Sequence, residues 1–427
     1  MQGLIIKERI SREEVQIVSR LETYIEHYAE LAVKVGVNVQ QGQTLVITSP
    51  VSAADFVRIV ARKAYEAGAK HVYVEWDDDE LKRLKYEQAP DEAFHEYPQW
   101  KADGFRQLAE EGAAFLQVHS PTPDLLKHAK PERIAAASKA YGTAMLEYRR
   151  MMQAGRISWS IVSVPSAAWA AKVFPEANEE EAVRSLWERI VQAARADQDL
   201  PVEAWREHLA ALRAKVERMN AKKYARLIYR APGTELDVEL PPEHQWVAGG
   251  IHNAQGVFFV PNIPTEEMFT LPRADGVNGT VRSTMPLNWN GTLIDGFSLT
   301  FEHGKVVKCT AEQGLEALQR LLATDEGAAR LGEVALVPQN SPIAAMNVLF
   351  YNTGLDENAS CHLALGNAYP LCLEGGTAMT REQLAQHGAN HSLVHVDFMI
   401  GSNELDIDGE LPDGTVEPVF RRGCWAD

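Results

Sequence analysis

Residues 44–76 read TLVITSPVSAADFVRIVARKAYEAGAKHVYVEW. The apolar run at residues 44–48 is typical of a short buried strand. After Pro50 the apolar residues recur at helical spacing until Gly68, and residues 71–76 predict a second strand. The stretch is therefore a β-α-β unit, which favours parallel strands covered by helices.

The flanking sequence extends this α/β pattern. Upstream, residues 21–35 have the three- and four-residue spacing of an amphipathic helix. Downstream, strand-like runs at residues 113–118 and 158–164 enclose a helical stretch that ends near residue 150, and residues 176–223 predict two further helices. We therefore predict an α/β fold class with an N-terminal α/β domain, residues 1–224, built on a mostly parallel sheet.

The predicted secondary structure changes after residue 224, from alternating strands and helices to mostly short strands. Short β-rich runs at residues 225–229, 255–260, 280–281 and 305–309 are separated by glycine, proline and asparagine turns. A single helix is predicted at about residues 312–322. This pattern favours a β-rich α+β domain with largely antiparallel strands, residues 225–427.

Composition excludes several classes of protein. The chain has 427 residues, of which 45% are hydrophobic and 24% charged, as in a globular protein with large cores. With 42 basic and 59 acidic residues the net charge is −17, which repels phosphate backbones and anionic lipid. We therefore expect neither nucleic acid nor membrane as a partner.

The cysteines and the chain start indicate a compartment. Cys309, Cys361, Cys372 and Cys424 show no C-x-x-C spacing, as expected in a reducing cytoplasm. The first residues hold too few consecutive apolar side chains for a signal peptide, and no segment reaches 18 consecutive apolar residues. A cytoplasmic location is the expectation.

The N-terminal half offers little chemistry. Residues 77–80, DDDE, could bind a cation, although acidic loop runs are usually only solvated. The chain has no glycine-rich phosphate-binding fingerprint. Candidate functional residues therefore concentrate after residue 225.

The most informative segment is residues 390–401, NHSLVHVDFMIG. Because alternate strand residues share a face, His395 and Asp397 project together, and the apolar residues between them pack behind. Metal ligation would compensate the charge of this pair. A simple hydrogen bond between His395 and Asp397 at a sheet surface is the alternative.

Residues 356–369 form a second segment, which gathers Glu357, His362 and Tyr369 into one turn-rich stretch. A lone histidine in such a place is most often an ordinary structural residue. Glu333 heads the apolar run 332–337, and we expect it at a sheet edge because carboxylates are depleted within strands.

Residues 261–270, PNIPTEEMFT, contain two adjacent carboxylates, Glu266 and Glu267, after a proline-stiffened turn. Thr265 is a candidate helix N-cap in this segment. The alternative to a functional role is an ordinary acidic first helical turn, which the helix dipole favours.

Together these segments supply enough ligands for a pair of metal ions. Carboxylates and imidazoles in this combination suit two zinc, cobalt or manganese ions, as in two-metal hydrolases. The candidate ligands are Glu267, Glu333, Glu357, His362, His395 and Asp397.

At these segments the chain resembles the thermophilic metalloaminopeptidases, the family of aminopeptidases of the T, II and S type. The resemblance is carried by residues 262–270, 331–337, 351–369 and 391–402, and by their order and spacing. It implies a two-domain homodimer with active sites facing an internal cavity. It also implies an enzyme that removes amino-terminal residues from peptides with a free amino end.

Carried over by position, the resemblance makes Glu267, Glu333, His362, His395 and Asp397 metal ligands and places Tyr369 close to the reacting carbonyl. Glu357 fits as an additional ligand or as a carboxylate behind the ligands. The chain departs from the family in an insert-like loop at residues 380–390.

The resulting hypothesis is a water molecule activated between two metal ions that attacks the peptide carbonyl. Tyr369 would stabilise the oxyanion, and Glu333 would either bridge the ions or transfer the proton. The substrate's amine would bind a metal or a spare carboxylate such as Glu266. Two rivals stay open, a dinuclear phosphoester hydrolase and a non-catalytic binding protein braced by metal.

Overall fold

The computed structural model describes residues 12–123, 125–289 and 292–426. The chain start, where a signal peptide was not expected, lies outside the described residues. No helix in these ranges is long and apolar enough to cross a membrane.

The first half of the chain alternates strands with helices. The strands are β1 (Thr44–Pro50), β2 (His71–Asp77), β3 (Ala114–His119) and β4 (Trp159–Ser163). The helices are α1 (Arg12–Leu31), α2 (Ala54–Glu66), α3 (Asp79–Gln88), α4 (Gln99–Glu110), α5 (Pro131–Ala144), α6 (Leu146–Gln153), α7 (Ala167–Val173), α8 (Glu179–Ala193) and α9 (Pro201–Lys222).

The second half is mostly strands. These are β5 (Arg226–Ala231), β6 (Thr234–Glu239), β7 (Val247–Ala248), β8 (Ile251–His252), β9 (Phe258–Phe259), β10 (Asn262–Ile263), β11 (Met268–Thr270), β12 (Val277–Arg282), β13 (Leu287–Trp289), β14 (Thr292–Ile294), β15 (Ser298–Glu302), β16 (Lys305–Thr310), β17 (Leu331–Leu336), β18 (His362–Gly366), β19 (His395–Met399), β20 (Asp406–Glu410), β21 (Val416–Arg421) and β22 (Cys424–Trp425). Its helices are α10 (Leu315–Leu322), α11 (Pro342–Met346), α12 (Thr353–Asp356) and α13 (Arg381–Gln386).

The first sheet is parallel, with the strand order β10-β4-β3-β1-β2. Its strands are rich in buried aliphatic side chains, as expected for a parallel sheet with helices on its faces. The predicted β-α-β unit is therefore confirmed as β1, α2 and β2.

The second half of the chain contributes to this first sheet. Strand β10 pairs in parallel with β4, and Ile263 is buried in the same apolar core as α1 and α8. Phe350 and Leu355, from much later in the chain, are buried in that core too. The division at residues 224 and 225 stays a prediction, and the core of the first half extends across it.

The remaining large sheets are antiparallel. One has the order β19-β18-β17-β11-β7, and the other has the order β16-β15-β12-β6-β5-β20-β21-β22. A second apolar core lies between them, with Phe297, Phe398 and Phe420 among its fully buried side chains. The parallel sheet and the antiparallel sheets confirm the predicted mixed α/β architecture.

Three local predictions are corrected by the structure. The acidic run at residues 77–80 joins the end of β2 to the first turn of α3, where Asp78 caps the helix by accepting a hydrogen bond from the Leu81 amide at 3.0 Å. Residues 380–390 contain α13 rather than a loop, because Thr380 and Gln383 form a reciprocal capping box. Thr265 caps no helix, since the chain around it is extended between β10 and β11.

Candidate metal centre

The antiparallel sheet that contains β17 brings most of the predicted ligands together. Glu333 lies on β17, His362 on β18, and His395 and Asp397 on β19. The register places Glu333 opposite Ala364 and Ala364 opposite Asp397. Because opposed residues share a face and the alanine between them is small, both carboxylates meet above the sheet.

Glu333 occupies a different environment from the one predicted. Strand β17 has neighbours on both sides, β11 and β18, so Glu333 lies inside the sheet rather than at its edge. Its side chain is only 6% exposed. A carboxylate is tolerated there because two histidines approach it.

The ligand atoms form two groups that share Glu333. In the first, His362 Nε2 lies 3.1 Å from Glu267 Oε2 and 3.5 Å from Glu333 Oε1. In the second, His395 Nε2 lies 3.5 Å from Glu333 Oε2 and 3.4 Å from Asp397 Oδ1. Each group has the size and the donor types of a metal site.

The donor atoms are also oriented for a metal. His362 Nδ1 lies 3.1 Å from the Ser360 carbonyl and His395 Nδ1 lies 2.7 Å from the Asn367 carbonyl. A carbonyl can only accept, so both Nδ1 atoms carry a proton, and the Nε2 atoms, which face the carboxylates, are the ring nitrogens left to bind metal. Glu267 Oε2 is buried and faces His362 Nε2. These residues fit divalent metal ions.

Electrostatics favour a cation as well. Burial raises the pKa of Glu333 to about 7, against the opposing effect of His362. Burial, followed by the negative charge of Glu267, raises the pKa of Glu357 well above its usual value. Crowded carboxylates resist ionisation in this way unless a positive charge is added.

Tyr369 lies beside the two groups of candidate ligand atoms. Its ring packs against His395, with the ring centroids 4.7 Å apart, and against Phe269 at 5.9 Å. Burial, and then the nearby carboxylates, raise the pKa of Tyr369 well above its usual value. Its hydroxyl therefore keeps its proton at neutral pH and can donate a hydrogen bond.

A cavity of about 390 Å³ opens onto the centre. Glu267, Glu333, Glu357, Tyr369, His395 and Asp397 line it at the metal centre. Its other walls are largely apolar and include Met152, Trp159, Ile161, Val247, Ile251 and Leu371. Arg149 is the one lysine or arginine among the lining residues that the structure describes.

Comparison with protein families matches residues 21–425 to the family described as "Thermophilic metalloprotease (M29)". The chain belongs to this family. The match spans the parallel sheet and the metal centre alike, as the predicted resemblance requires.

Relatives of this M29 chain are named aminopeptidases. The chain is 55% identical to "Aminopeptidase 2" of Geobacillus stearothermophilus, over 96% of this chain and 99% of the relative. It is 45% identical to "Aminopeptidase T" of Thermus thermophilus, over 94% and 98%. Among solved structures it is similar to "Wild-type AmpT from Thermus thermophilus", with a TM-score of 0.90, 43% identity and coverage of 95% and 100%. The predicted class, a metalloaminopeptidase, is confirmed at the level of the family.

One predicted site residue of this M29 chain does not reach the cavity. Thr265 and Glu267 line the cavity, whereas Glu266 between them contacts Arg195 instead. Glu266 is buried and forms a bidentate ion pair with Arg195. It is therefore not available to a substrate amine, and that prediction was wrong.

Sequence reasoning also missed residues around the centre. Arg149 lies on α6, Arg195 in the turn after α8, and His208 on α9. Each is a polar residue in a helical region, a pattern typical of a solvated helix surface. Only the packing of the helices against residues 261–267 shows their relation to the site.

Proposed function

We propose that the chain is a dinuclear metal-dependent aminopeptidase that hydrolyses the first peptide bond of substrates with a free amino end. The observation that carries this proposal is the sharing of Glu333 between two groups of metal-ligand atoms. Glu267 and His362 would complete one site, and His395 and Asp397 the other. Zinc, cobalt or manganese would suit these oxygen and nitrogen donors.

Two divalent ions at this centre would supply a water molecule of lowered pKa and polarise the scissile carbonyl. Residues of the chain would carry out the other parts of the reaction. The protonated Tyr369 hydroxyl donates to the carbonyl oxygen as negative charge develops on it. Glu333 would be a ligand in both groups, and the charge of bound metal would keep its carboxylate ionised.

Glu357 takes the role first given to Glu266. It lines the cavity but belongs to neither three-residue ligand group. We assign it to the positively charged amino end of the substrate. A carboxylate facing an ammonium would reject peptides whose amino end is blocked, because a blocked end leaves the carboxylate without a partner.

The cavity walls indicate which peptides fit. Apolar side chains cover most of the surface around the centre, so we expect apolar side chains on the substrate to bind well. Arg149 has no ion-pair partner among the described residues and could receive the carboxylate end of a short peptide. Short peptides with apolar side chains are the substrates we propose.

The assembly and the location are proposed from the sequence. The resemblance implies a homodimer, and the four cysteines are free thiols, which agrees with a cytoplasmic location. The net charge of −17 argues against partnership with nucleic acid or anionic membranes.

The test is hydrolysis of amino-acyl nitroanilides and of their amino-blocked counterparts. Activity is measured before chelation, after chelation and after zinc, cobalt or manganese is restored. Cleavage of free-amino substrates alone, with activity that returns with metal, is the expected result. Cleavage of a bis-phosphoester instead would assign the centre to phosphoester hydrolysis, and cleavage of neither would leave only a structural metal site.

A further inference from the structure

The turn after α8 holds the segment that carries Glu267. Arg195 donates from Nη2 to Glu266 Oε2 at 3.0 Å and from Nη1 to Glu266 Oε1. On α9, His208 Nε2 lies 2.7 Å from the Thr265 carbonyl oxygen. Both contacts join the helical half of the chain to the two residues directly before Glu267.

The turn after α8 is itself held by contacts with side chains of α1 and α9. Trp205 Nε1 donates to the Ala194 carbonyl at 2.6 Å, and His27 Nδ1 lies 3.0 Å from the Ala196 carbonyl. Arg195 adopts a φ of 55°, at a position after a helix where glycine is usual. An arginine in this conformation is unfavourable unless its side chain compensates, and here the side chain reaches Glu266.

The pair also reaches the segment that carries Glu357. The Glu266 amide donates to Asn358 Oδ1 at 2.7 Å, and Asn358 Nδ2 donates to the Gly354 carbonyl at 3.0 Å. Asn358 is fully buried. Glu266 is therefore hydrogen-bonded to both Arg195 and Asn358. Glu266 and Asn358 are next in sequence to the two cavity-lining carboxylates, Glu267 and Glu357.

We infer that Arg195 and Glu266 are positioning residues that fix the Glu267 carboxylate for metal binding. This inference rests on the proposed function, because it requires a metal at Glu267. Glu266 is buried and Arg195 is largely buried, with side chains 6% and 18% exposed, so water competes poorly for the contact. Groups that orient metal ligands typically change metal affinity 10- to 100-fold when they are removed.

The experiment measures zinc dissociation constants of the full-length, metal-stripped protein by competition with a chelator of known affinity. The variants are Arg195→Met and the double variant Arg195→Met with Glu266→Met. The double variant leaves no unpaired buried charge and so guards against misfolding of the single variant. Both are expected to bind zinc about 10- to 100-fold less tightly at the site that Glu267 and His362 would complete.

Arg226→Met is the matched control. It removes an ion pair between β5 and β20, where Arg226 Nε donates to Glu410 Oε2 at 3.1 Å, away from the cavity. Its zinc affinity should stay within about twofold of wild type, even if its melting temperature falls. Arg195→Lys keeps one charge without the bidentate geometry and should recover part of the lost affinity.

The outcomes separate the inference from the proposed function. A double variant that folds and binds zinc as tightly as wild type would show that the pair is only structural and overturn the inference. A wild-type protein that binds no zinc, cobalt or manganese would overturn the proposed function and this inference with it. Weaker zinc binding in the double variant, with an unchanged control, supports both.

Discussion

Glu333 is the residue on which the proposed chemistry converges. It lies within 3.5 Å of both His362 and His395, and it is the one residue common to the two ligand groups. The other ligands each belong to one group. Removing Glu333 should therefore weaken metal binding in both groups, whereas removing any other ligand should weaken it in one group.

The corresponding prediction concerns metal stoichiometry. Glu333→Ala should lose both tightly bound ions, whereas His362→Ala and His395→Ala should each lose about one, because each histidine belongs to one group. Metal content is measured by elemental analysis after dialysis against a weak chelator. An unchanged content in Glu333→Ala would remove that residue from the centre.

Tyr369 carries a separate prediction about turnover. Tyr369→Phe should lower kcat about 100- to 1000-fold, since a single oxyanion donor is lost, with little change in metal content. The substrate is a free-amino nitroanilide at saturating concentration. Tyr86→Phe, a tyrosine outside the cavity lining, is the control and should keep wild-type turnover. Wild-type turnover in Tyr369→Phe would exclude the hydroxyl from the mechanism.

Arg149 allows a test of substrate length. Arg149→Met should raise KM for an apolar dipeptide roughly 2- to 5-fold, because an exposed ion pair with the substrate carboxylate is lost. A dipeptide amide and a nitroanilide lack that carboxylate and should be unaffected. An equal rise in KM for all three substrates would indicate a general change in the cavity instead.

At this scale the sequence predicts the positions of the candidate ligands better than those of their neighbours. Alternation along β19 correctly places His395 and Asp397 on one face, because strand periodicity is a local property. Glu266 and Glu267 are chemically identical and adjacent, and only the contact of Glu266 with the turn after α8 shows which of them reaches the cavity. That information lies about 70 residues away, at Arg195, so the sequence alone could not supply it.

Among the elements, strands and helices with strong periodicity are predicted well, and short ones are not. Strands β10 and β11 are very short and flank a proline turn, and the polar residues 265–267 between them resemble a helix start. Helix α13 is short too, and its sequence resembles a loop. The capping pair Thr380 and Gln383 was the signal that could have found it.

The connection before β7 carries a prediction about pH and stability. Buried His244 has a pKa lowered to about 4 by burial, its Nδ1 lies 2.7 Å from the Pro241 carbonyl, and its Nε2 has no partner among the described residues. A folded-state pKa below the unfolded value means that the unfolded chain takes up the proton first. Stability from this group is complete above about pH 6.5 and is lost as the pH falls toward 4.

The test compares wild type with His244→Asn, whose side-chain amide can still donate to Pro241 but does not titrate. Urea unfolding of the metal-free protein is measured at pH 7 and pH 5. Wild type should lose about 2 kcal/mol more than the variant between these pH values. Equal losses in both proteins would show that His244 is not the acid-sensitive group.

Across the whole molecule, the two halves of the chain are interleaved. The sequence predicts a change near residue 225, from alternating strands and helices to mostly short strands. The strands after that residue are mostly antiparallel. It could not predict that Ile263 and Phe350 join the core of the first half. Such pairings join residues far apart in the chain, and hydrophobic periodicity contains no information about partners.

This interleaving predicts the behaviour of fragments. Fragments 1–224 and 225–427 should each bind a hydrophobic dye and unfold without a sharp transition when separate, because each exposes apolar surface that the other buries. Mixing the two should restore a cooperative transition, with the intact chain as the reference. A sharp thermal transition in either isolated fragment would show that the core divides cleanly at residue 225.

The placement of β10 also has a consequence for the time course of synthesis. Strand β4 leaves the ribosome about 100 residues before its neighbour β10, an interval of about 5 to 20 seconds at ordinary elongation rates. During that interval the newborn chain presents an open, apolar sheet edge. Chaperone demand should therefore be greatest between translation of residue 163 and translation of residue 263.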